Sequence, residues 1–312
     1  MLKYIKISKR PRILYRFTGL TIEQFTVLCT KLKPLWGKAE EKRLSQRERK
    51  RALGQGRKYK LSAVEDKLLF ILLFYRYYLT DELMGYLFGI HPSNACRLRI
   101  KMEPLVEKAA DSSLSQSIRR RISPDVKKVS TLEELLVVCP DFAEVVTDAT
   151  EQQRRRPKKR IQKKYYSGKK KRHTIKTQIT VNTKGKILMV SKSYPGKIHD
   201  YNLFKQENTA KKLPTKSAHY GDSGYDGAPN DYPEHTIIIP VKRRRNHSTL
   251  SLSEKRFNRK HSRIRIPVEQ VLSRMKKYQI LAQVYRHKMI DYNRRFRNIA
   301  ALINFRLASS AI

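Results

Sequence analysis

The excess of positive charge is the feature that most limits what this chain can fold into. Its 312 residues include 69 lysines and arginines against 27 aspartates and glutamates, a formal net charge of +42. Repulsion at that charge opposes a compact state unless a polyanion is usually close by. Because the charge is spread along the chain and not placed on one amphipathic helix, nucleic acid is a better candidate partner than an acidic membrane surface.

Composition argues against several other classes of protein. The hydrophobic fraction of 39% is enough for a core, so disorder throughout is not expected. Cys29, Cys96 and Cys139 are far apart, which argues against a disulfide framework or a cysteine zinc site and predicts a cytoplasmic location. No apolar run approaches the ~20 residues of a membrane span, and no signal peptide is predicted at the N-terminus.

The N-terminal part, residues 1–58, is predicted to be a basic helical segment followed by a linker. Thr21 and Gln24 have the spacing of a capping box at a helix start. Pro34 is expected to end that helix. From Ala39 to Lys60 the chain has much charge and few apolar residues, which predicts an exposed linker or a solvated helix.

Residues 59–112 have the pattern of a helix-turn-helix domain. Ser62 and Glu65 have the spacing of a second capping box, and apolar residues then recur at helical spacing. A second helix is predicted from Thr80 to Phe88, with Gly89 in a left-handed position after it.

A third helix of this domain is predicted to begin at His91. Ser93, Asn94 and Arg97 fall on its first turns, where recognition helices present side chains to the major groove. A three-helix bundle used only for packing or dimerisation is the alternative, and the surplus of charge favours DNA.

Residues 113–140 are predicted to be a connector that ends in a helix capped by Thr131 and Glu134. Residues 141–312 then change to an α/β pattern. The predicted elements are a strand ending near Asp148, a hairpin turning at Asn182 to Gly185, a helix from His199 to Lys212, a strand before Asp222, a buried strand at 235–242, and helices from about Pro267 to Tyr285 and about Asp291 to Ala308. This order predicts a mixed α/β sheet.

Three acidic residues stand at positions suited to metal-dependent chemistry. Asp148 and Asp222 each follow a strand-like run, and Glu269 lies on a later helix. Carboxylates at strand ends project into the crevice where α/β sheets bind ligands, and three oxygen donors suit Mg²⁺ or Mn²⁺ better than zinc. Two such ions can cleave a phosphodiester. Each acid alone has an ordinary explanation as a turn residue or a surface ion-pair partner, so the hypothesis rests on their joint pattern.

That joint pattern resembles the IS5-type bacterial transposases of the DDE superfamily. The motifs are DATE at 148–151, YYSGKKKRHT at 165–174, PGKIHD at 195–200, GDSGYDG at 221–227 and N-x6-R-x3-E-x6-K at 258–276. They occur in the family's order, and the resemblance covers about residues 60–305. It implies an RNase H-like catalytic core with Asp148, Asp222 and Glu269 as catalytic, metal-binding acids.

The same resemblance implies a function. The helix-turn-helix domain would bind the terminal inverted repeats of an insertion sequence in double-stranded DNA. The catalytic domain would use two Mg²⁺ or Mn²⁺ ions to cleave the element ends and join them to target DNA, with at least a homodimer on DNA. Two positions depart from the family pattern: Ala149 replaces a frequent glycine, and Ser262 stands where tyrosine is common.

The last motif also has a geometric interpretation. Arg265, Glu269 and Lys276 share one face of a helix. Arg265 is expected to orient the carboxylate or hold a phosphate, and Lys276 to bind DNA near the cleavage point, although a surface ion pair is the ordinary alternative. Asp200 is interpreted as the N-cap of the next helix in preference to a supporting acid of the site.

Two basic segments, Arg154–Arg172 and Lys242–Arg263, flank the proposed acids and predict a DNA groove with salt-dependent binding. Tyr165 and Tyr166 are expected to pack on the sheet and not to stack on a base. Two other functions stay open: a non-catalytic DNA-binding protein derived from a transposase, and a basic RNA-binding protein. A nucleoid association follows from the DNA-binding hypothesis.

Overall fold

The computed structural model describes residues 1–46, 59–110, 131–243 and 249–309. It divides into two compact units. The first comprises Met1–Ser113, Lys276–Leu281 and Arg294–Ile312, and the second Leu114–Met275 and Ala282–Asn293. Parts of the predicted linker, connector and second basic segment (residues 47–58, 113–130 and 244–248) lie outside the described residues.

The first unit is α-helical. Its helices are α1 (Tyr4–Ser8), α2 (Pro11–Thr18), α3 (Ile22–Leu44), α4 (Val64–Tyr77), α5 (Asp81–Phe88), α6 (Pro92–Ala109) and the larger part of α12 (Met289–Ser309).

The second unit is made of strands, short helices and one long helix. Its elements are α7 (Leu132–Val138), β1 (Glu144–Gln153), α8 (Gln162–Tyr165), β2 (Tyr166–Ser167), β3 (Arg172–Asn182), β4 (Ile187–Pro195), α9 (Asp200–Gln206), β5 (Ala218–Tyr220), α10 (Ala228–Asp231), β6 (Ile237–Ile238) and α11 (Leu252–Lys276). The predicted fold class, a mixed α/β core with an N-terminal helical region, is confirmed.

Helix α4 is the central element of the first unit. Every residue from Leu68 to Tyr75 is buried, and a helix that is apolar on all sides belongs in a core. Helix α5, the second helix of the predicted helix-turn-helix domain, starts as predicted, because the Thr80 hydroxyl accepts a hydrogen bond from the Leu83 N–H at 3.3 Å. It also ends as predicted, with Gly89 in the left-handed region at φ +64°.

Two predicted features of the N-terminal helices are wrong. The capping box of Thr21 and Gln24 forms, but Pro34 lies inside α3 and does not end it. A proline removes one backbone hydrogen bond, and the packing of α3 on α4 and α6 outweighs that loss. Ala63, not Ser62, is the N-cap of α4, because the Glu65 carboxylate pairs with Lys33 at 2.8 Å instead of closing a box.

The sheet of the second unit has the strand order β2-β3-β1-β5-β6, and β4 also pairs with β3. Strand β1 runs antiparallel to β3 from Val145 to Gln153. It runs parallel to β5 only at its first three residues, Glu144 to Val146. Strands β3 and β4 form the predicted hairpin, with Gly185 at φ +77° in its turn.

Several boundaries differ from the predictions. Asp148 lies in the middle of β1 and not at its end, because β3 continues to pair with β1 beyond it. The buried strand predicted at 235–242 is reduced to the half-buried β6, and the helix predicted from His199 to Lys212 is α9 followed by a 3₁₀ turn.

Helix α11 begins 15 residues before the predicted start at Pro267, which lies inside the helix. The reason is a capping box: the Ser251 N–H donates to the Glu254 carboxylate at 2.7 Å, and the Glu254 N–H donates to the Ser251 hydroxyl at 3.1 Å. The high charge of this segment hid the box in the sequence. Across the described residues, no helix combines the length and the apolarity that crossing a bilayer requires.

Candidate active site

Strand register brings Asp148 and Asp222 to the same level of the sheet. Val146 of β1 pairs with Tyr220 of β5, and the two strands run parallel. Each aspartate lies two residues further along its own chain segment, and residues two apart on a strand point to the same face. The Asp222 carboxylate is held in the turn just after β5, because its Oδ1 accepts a hydrogen bond from the Ser223 N–H at 2.6 Å.

Arg265 of α11 contacts both aspartates. Its Nη1 lies 3.4 Å from Asp222 Oδ1, and its Nη2 lies 3.7 Å from Asp148 Oδ2. Its Nε is buried and has no hydrogen-bond acceptor among the described residues. One guanidinium therefore serves as the counter-charge of two carboxylates on neighbouring strands and retains one unused donor.

The electrostatic environment of Asp148 favours its protonated form. Burial raises the pKa of Asp148 to about 6, the Asp222 and Asp200 carboxylates add to this, and Arg265 and the Ala149 N–H act in the opposite direction. The pKa of the buried Tyr225 phenol is raised by its burial and by the same three aspartates. Asp148, Asp200 and Asp222 therefore form one acidic group around Tyr225.

Asp200 is the functional candidate that sequence reasoning assigned wrongly. His199, not Asp200, is the N-cap of α9, and it makes no side-chain cap bond. Asp200 Oδ1 instead lies 2.7 Å from Lys176 Nζ, which also lies 3.2 Å from Glu151 Oε1. Lys176 and Glu151 are cross-strand neighbours in the register of β1 and β3, so the strand alternation could have pointed to this network.

Gly196 holds the PGKIHD loop against β3. A Cβ atom at this position would lie 1.8 Å from Thr174 Oγ1, so only glycine fits. The adjacent Thr174 hydroxyl donates to Glu151 at 2.8 Å. This close approach of loop and strand is what places Asp200 beside the two strand aspartates.

Glu269 is not gathered into this group. It is exposed on α11, four residues after Arg265. Within the described ranges, no three histidine, cysteine, aspartate or glutamate side chains are close enough together to hold a metal ion. Lys276, the last residue of α11, is also exposed. The structure thus brings together two of the three predicted acids, with Arg265 between them and Asp200 in place of the third.

The residues predicted to read DNA lie on the first turns of α6. Ser93, Asn94 and Arg97 are all exposed, and Arg97 Nη1 lies 3.5 Å from Asn94 Oδ1. Arg99 of the same helix is buried instead and pairs with Asp81 at 3.1 Å. The exposed and buried cations of α6 therefore lie on different faces of the helix.

The first basic segment is largely exposed, but its tyrosines differ. Tyr165 packs under the Arg154 guanidinium, whose Cζ is 4.2 Å from the ring centroid. Tyr166 begins β2, keeps 44% of its surface exposed and makes an edge contact with His173.

Comparison with known proteins finds two family models that match this chain. The family model of the helix-turn-helix of DDE superfamily endonuclease matches residues 59–112, and the DDE superfamily endonuclease model matches residues 147–304. The second range contains Asp148, Asp222 and Arg265. No solved structure matches the chain.

Two curated proteins are similar over most of their length. A probable transposase for insertion sequence element IS702 from Microchaete diplosiphon is 31% identical over 82% of this chain and 85% of its own. A protein described as a transposase for insertion sequence element IS112, from Streptomyces albus G, is 25% identical over 88% of this chain and 87% of its own. With these matches and the paired strand aspartates, the chain belongs to the DDE superfamily endonucleases and carries that family's helix-turn-helix.

Proposed function

We propose that this protein is a transposase of the IS5 type, which binds the terminal inverted repeats of an insertion sequence, cleaves DNA at the element ends and joins them to a target. The observation that carries the proposal is the placement of Asp148 within β1 and of Asp222 just after the neighbouring parallel strand β5, both in the endonuclease region. The names of the two similar proteins support the same activity. Synapsis of two ends makes a dimer or a larger assembly on DNA part of the proposal, and nucleoid association follows from it.

Asp148 and Asp222 fit a divalent metal. Their oxygens already converge on one cation, the Arg265 guanidinium, and carboxylate oxygens are the donors that Mg²⁺ and Mn²⁺ prefer. When bound, two such ions supply an activated water and stabilise the leaving oxygen of the cleaved phosphodiester. Asp148 must lose its proton to serve as a ligand, so a pKa of about 6 leaves it competent at neutral pH.

Glu269 is proposed as the third acid of the working site, on the strength of its motif. It follows Arg265 by four residues, about 6 Å along the helix axis and one turn on. Since Glu269 is exposed, its participation requires α11 to shift or its side chain to turn toward the strands. Asp200, which already acts on the pKa of Asp148, is the alternative third carboxylate, and it too would have to move closer to the two strand aspartates to share an ion with them.

The exposed cations of residues 155–172 are proposed to bind DNA phosphates beside the aspartates. Arg265 is proposed to hold a phosphate oxygen, which requires its guanidinium to turn outward because its Nε is buried. On α6, Ser93, Asn94 and Arg97 are proposed to contact bases of the terminal repeat, and Lys276 to contact the backbone.

The test is metal-dependent nicking of DNA that carries the element ends. Asp148→Asn and Asp222→Asn should each lower cleavage by about a hundredfold or more, because each removes a metal ligand. Asp226→Asn is the matched control: it lies in the same GDSGYDG motif but is exposed and pairs with Lys242 at 3.4 Å. Unchanged cleavage by Asp148→Asn would rule out the metal mechanism.

A second function, end binding without catalysis, is favoured by one observation, the exposed position of Glu269 outside the acidic group. The same assay separates the two functions. A protein that binds ends specifically but nicks no DNA with Mg²⁺ or Mn²⁺ is a non-catalytic relative of the transposases.

A further inference from the structure

A cavity of about 750 Å³ lies within the first unit, far in sequence from the aspartates. Its walls come from the second half of α3, the start of α4 and the first turns of α6. Cavities of this size hold small molecules or single nucleotides. Nothing in the proposed cleavage reaction uses it.

The cavity contains the single tryptophan of the chain, Trp36. Lys101 Nζ lies 4.2 Å and Lys67 Nζ 4.7 Å from the centre of its ring. Leu61, Ile90 and Leu98 add apolar surface to the walls. An aromatic ring with apolar neighbours is suited to a flat, unsaturated ligand.

Charge in the cavity is strongly positive. Among the described residues, five cations line it against one carboxylate, that of Glu40; the cations are Arg43, Lys60, Lys67, Arg97 and Lys101. Glu40 pairs with Arg43 at 3.0 Å and also contacts Lys101. The cavity therefore attracts an anion, and Lys101 can exchange its contacts with Glu40 and the Trp36 ring for a phosphate.

Helix α6 lines this cavity and also carries the residues proposed to contact DNA. Asn94, Arg97, Leu98 and Lys101 all line it, and their spacing of three, four and seven residues places them along one helix face. Asn94 and Arg97 belong to the first turns, which enter the major groove in helix-turn-helix proteins. A recess of about 750 Å³ between α3 and α6 has room for one nucleotide.

We propose that this cavity binds an unpaired nucleotide of DNA, with the base against Trp36 and the phosphate held by Arg97 and Lys101. This inference extends the proposed DNA binding and is independent of the cleavage chemistry. Stacking on an aromatic side chain works for every base. The cavity would thus recognise an unpaired or extruded nucleotide, not a sequence.

The experiment uses the fluorescence of Trp36 in the full chain, excited where tyrosine does not absorb, in buffer with a chelator to prevent cleavage. Deoxyadenosine monophosphate should quench it saturably, about tenfold more tightly than deoxyadenosine or inorganic phosphate. Duplex DNA with a single-stranded tail should quench it, and the same duplex with blunt ends should not.

Lys101→Gln and Lys108→Gln form a matched pair, because both lysines lie on α6 and only Lys101 lines the cavity. The first substitution should weaken nucleotide binding about tenfold, and the second should leave it unchanged. Circular dichroism and denaturant unfolding check that both variants fold. If Lys101→Gln fails to fold, Arg97→Gln, at an exposed position, takes its place.

Three outcomes would overturn the proposal. Inorganic phosphate or an acidic peptide binding as tightly as the nucleotide would reduce the cavity to an anion site. Equal quenching by tailed and blunt duplexes would show that the quenching does not depend on an unpaired base. No quenching by any probe would leave Trp36 without a ligand. Since metal-dependent nicking is measured separately, each of these results can occur with the proposed cleavage function intact.

Discussion

Asp148 and Asp222 lie two residues beyond the paired residues Val146 and Tyr220, so two parallel strands carry their carboxylates side by side. The Asp222 carboxylate raises the pKa of Asp148, because like charges repel each other. Arg265 contacts both and offsets the repulsion. The consequences of this arrangement can be measured both in stability and in pH dependence.

Replacing Asp148 by asparagine should stabilise the fold at neutral pH. The folded pKa of about 6 lies above the ordinary aspartate pKa of 3.8, so the charged form is disfavoured by folding. The contribution of Asp148 is most favourable below about pH 4 and is lost as pH rises through 6, with a total of up to about 3 kcal/mol. Urea unfolding at pH 5 and pH 8 should show a larger gain for Asp148→Asn at pH 8. Equal stability of both proteins at both pH values would contradict a raised pKa.

Replacing Arg265 by alanine should shift the pH midpoint at which metal binding is lost to a higher pH. Arg265 lowers the pKa of Asp148, so Arg265→Ala should raise that pKa above 6. Mn²⁺ titrations of the full chain across pH 5 to 8 give the midpoint at which binding is lost. Arg263→Ala, at an exposed position of the same helix, is the control and should keep the original midpoint.

Asp200→Asn should destabilise the protein by about 1–3 kcal/mol, because the nearly buried Lys176 would keep one carboxylate partner in place of two. Asp226→Asn breaks an exposed pair with Lys242 and should cost less than about 0.5 kcal/mol. Denaturant unfolding of the two variants compares them directly. Similar small losses would show that Asp200 is not held in the network.

Lys67 should lose its proton near pH 8, and the fluorescence of Trp36 should change as it does. Burial lowers its pKa to about 8, and its ammonium lies over the indole ring. Tryptophan fluorescence should therefore change with a midpoint near pH 8 and stay constant in Lys67→Met. A flat profile in the unsubstituted protein would show that the ammonium does not lose its proton there.

Local signals in the sequence predicted local structure well. The Thr80 cap, the left-handed Gly89 and the hairpin turn at Gly185 depend on a few adjacent residues, and all three form. Pro34 and Pro267 misled because packing against distant elements keeps α3 and α11 continuous through them. Backbone preference at one residue is a weak guide where tertiary contacts decide.

The site was also predictable only in the parts that depend on local patterns in the sequence. Asp222 follows β5 as predicted and Asp148 lies within β1, so the parallel pairing of β1 and β5 is enough to bring them together. Asp200 depends on the fit of Gly196 against Thr174, a contact between a loop and a strand that no local pattern shows. The position of Glu269 depends on how α11 packs and turns, which its motif spacing does not specify.

The guanidinium between the strand aspartates offsets one of their two negative charges. We therefore expect the protein to complete its fold without Mg²⁺, unlike small domains whose assembly is driven by a structural metal. Exhaustive dialysis against a chelator should leave its melting temperature nearly unchanged while abolishing cleavage, and activity should return as soon as the ion is restored.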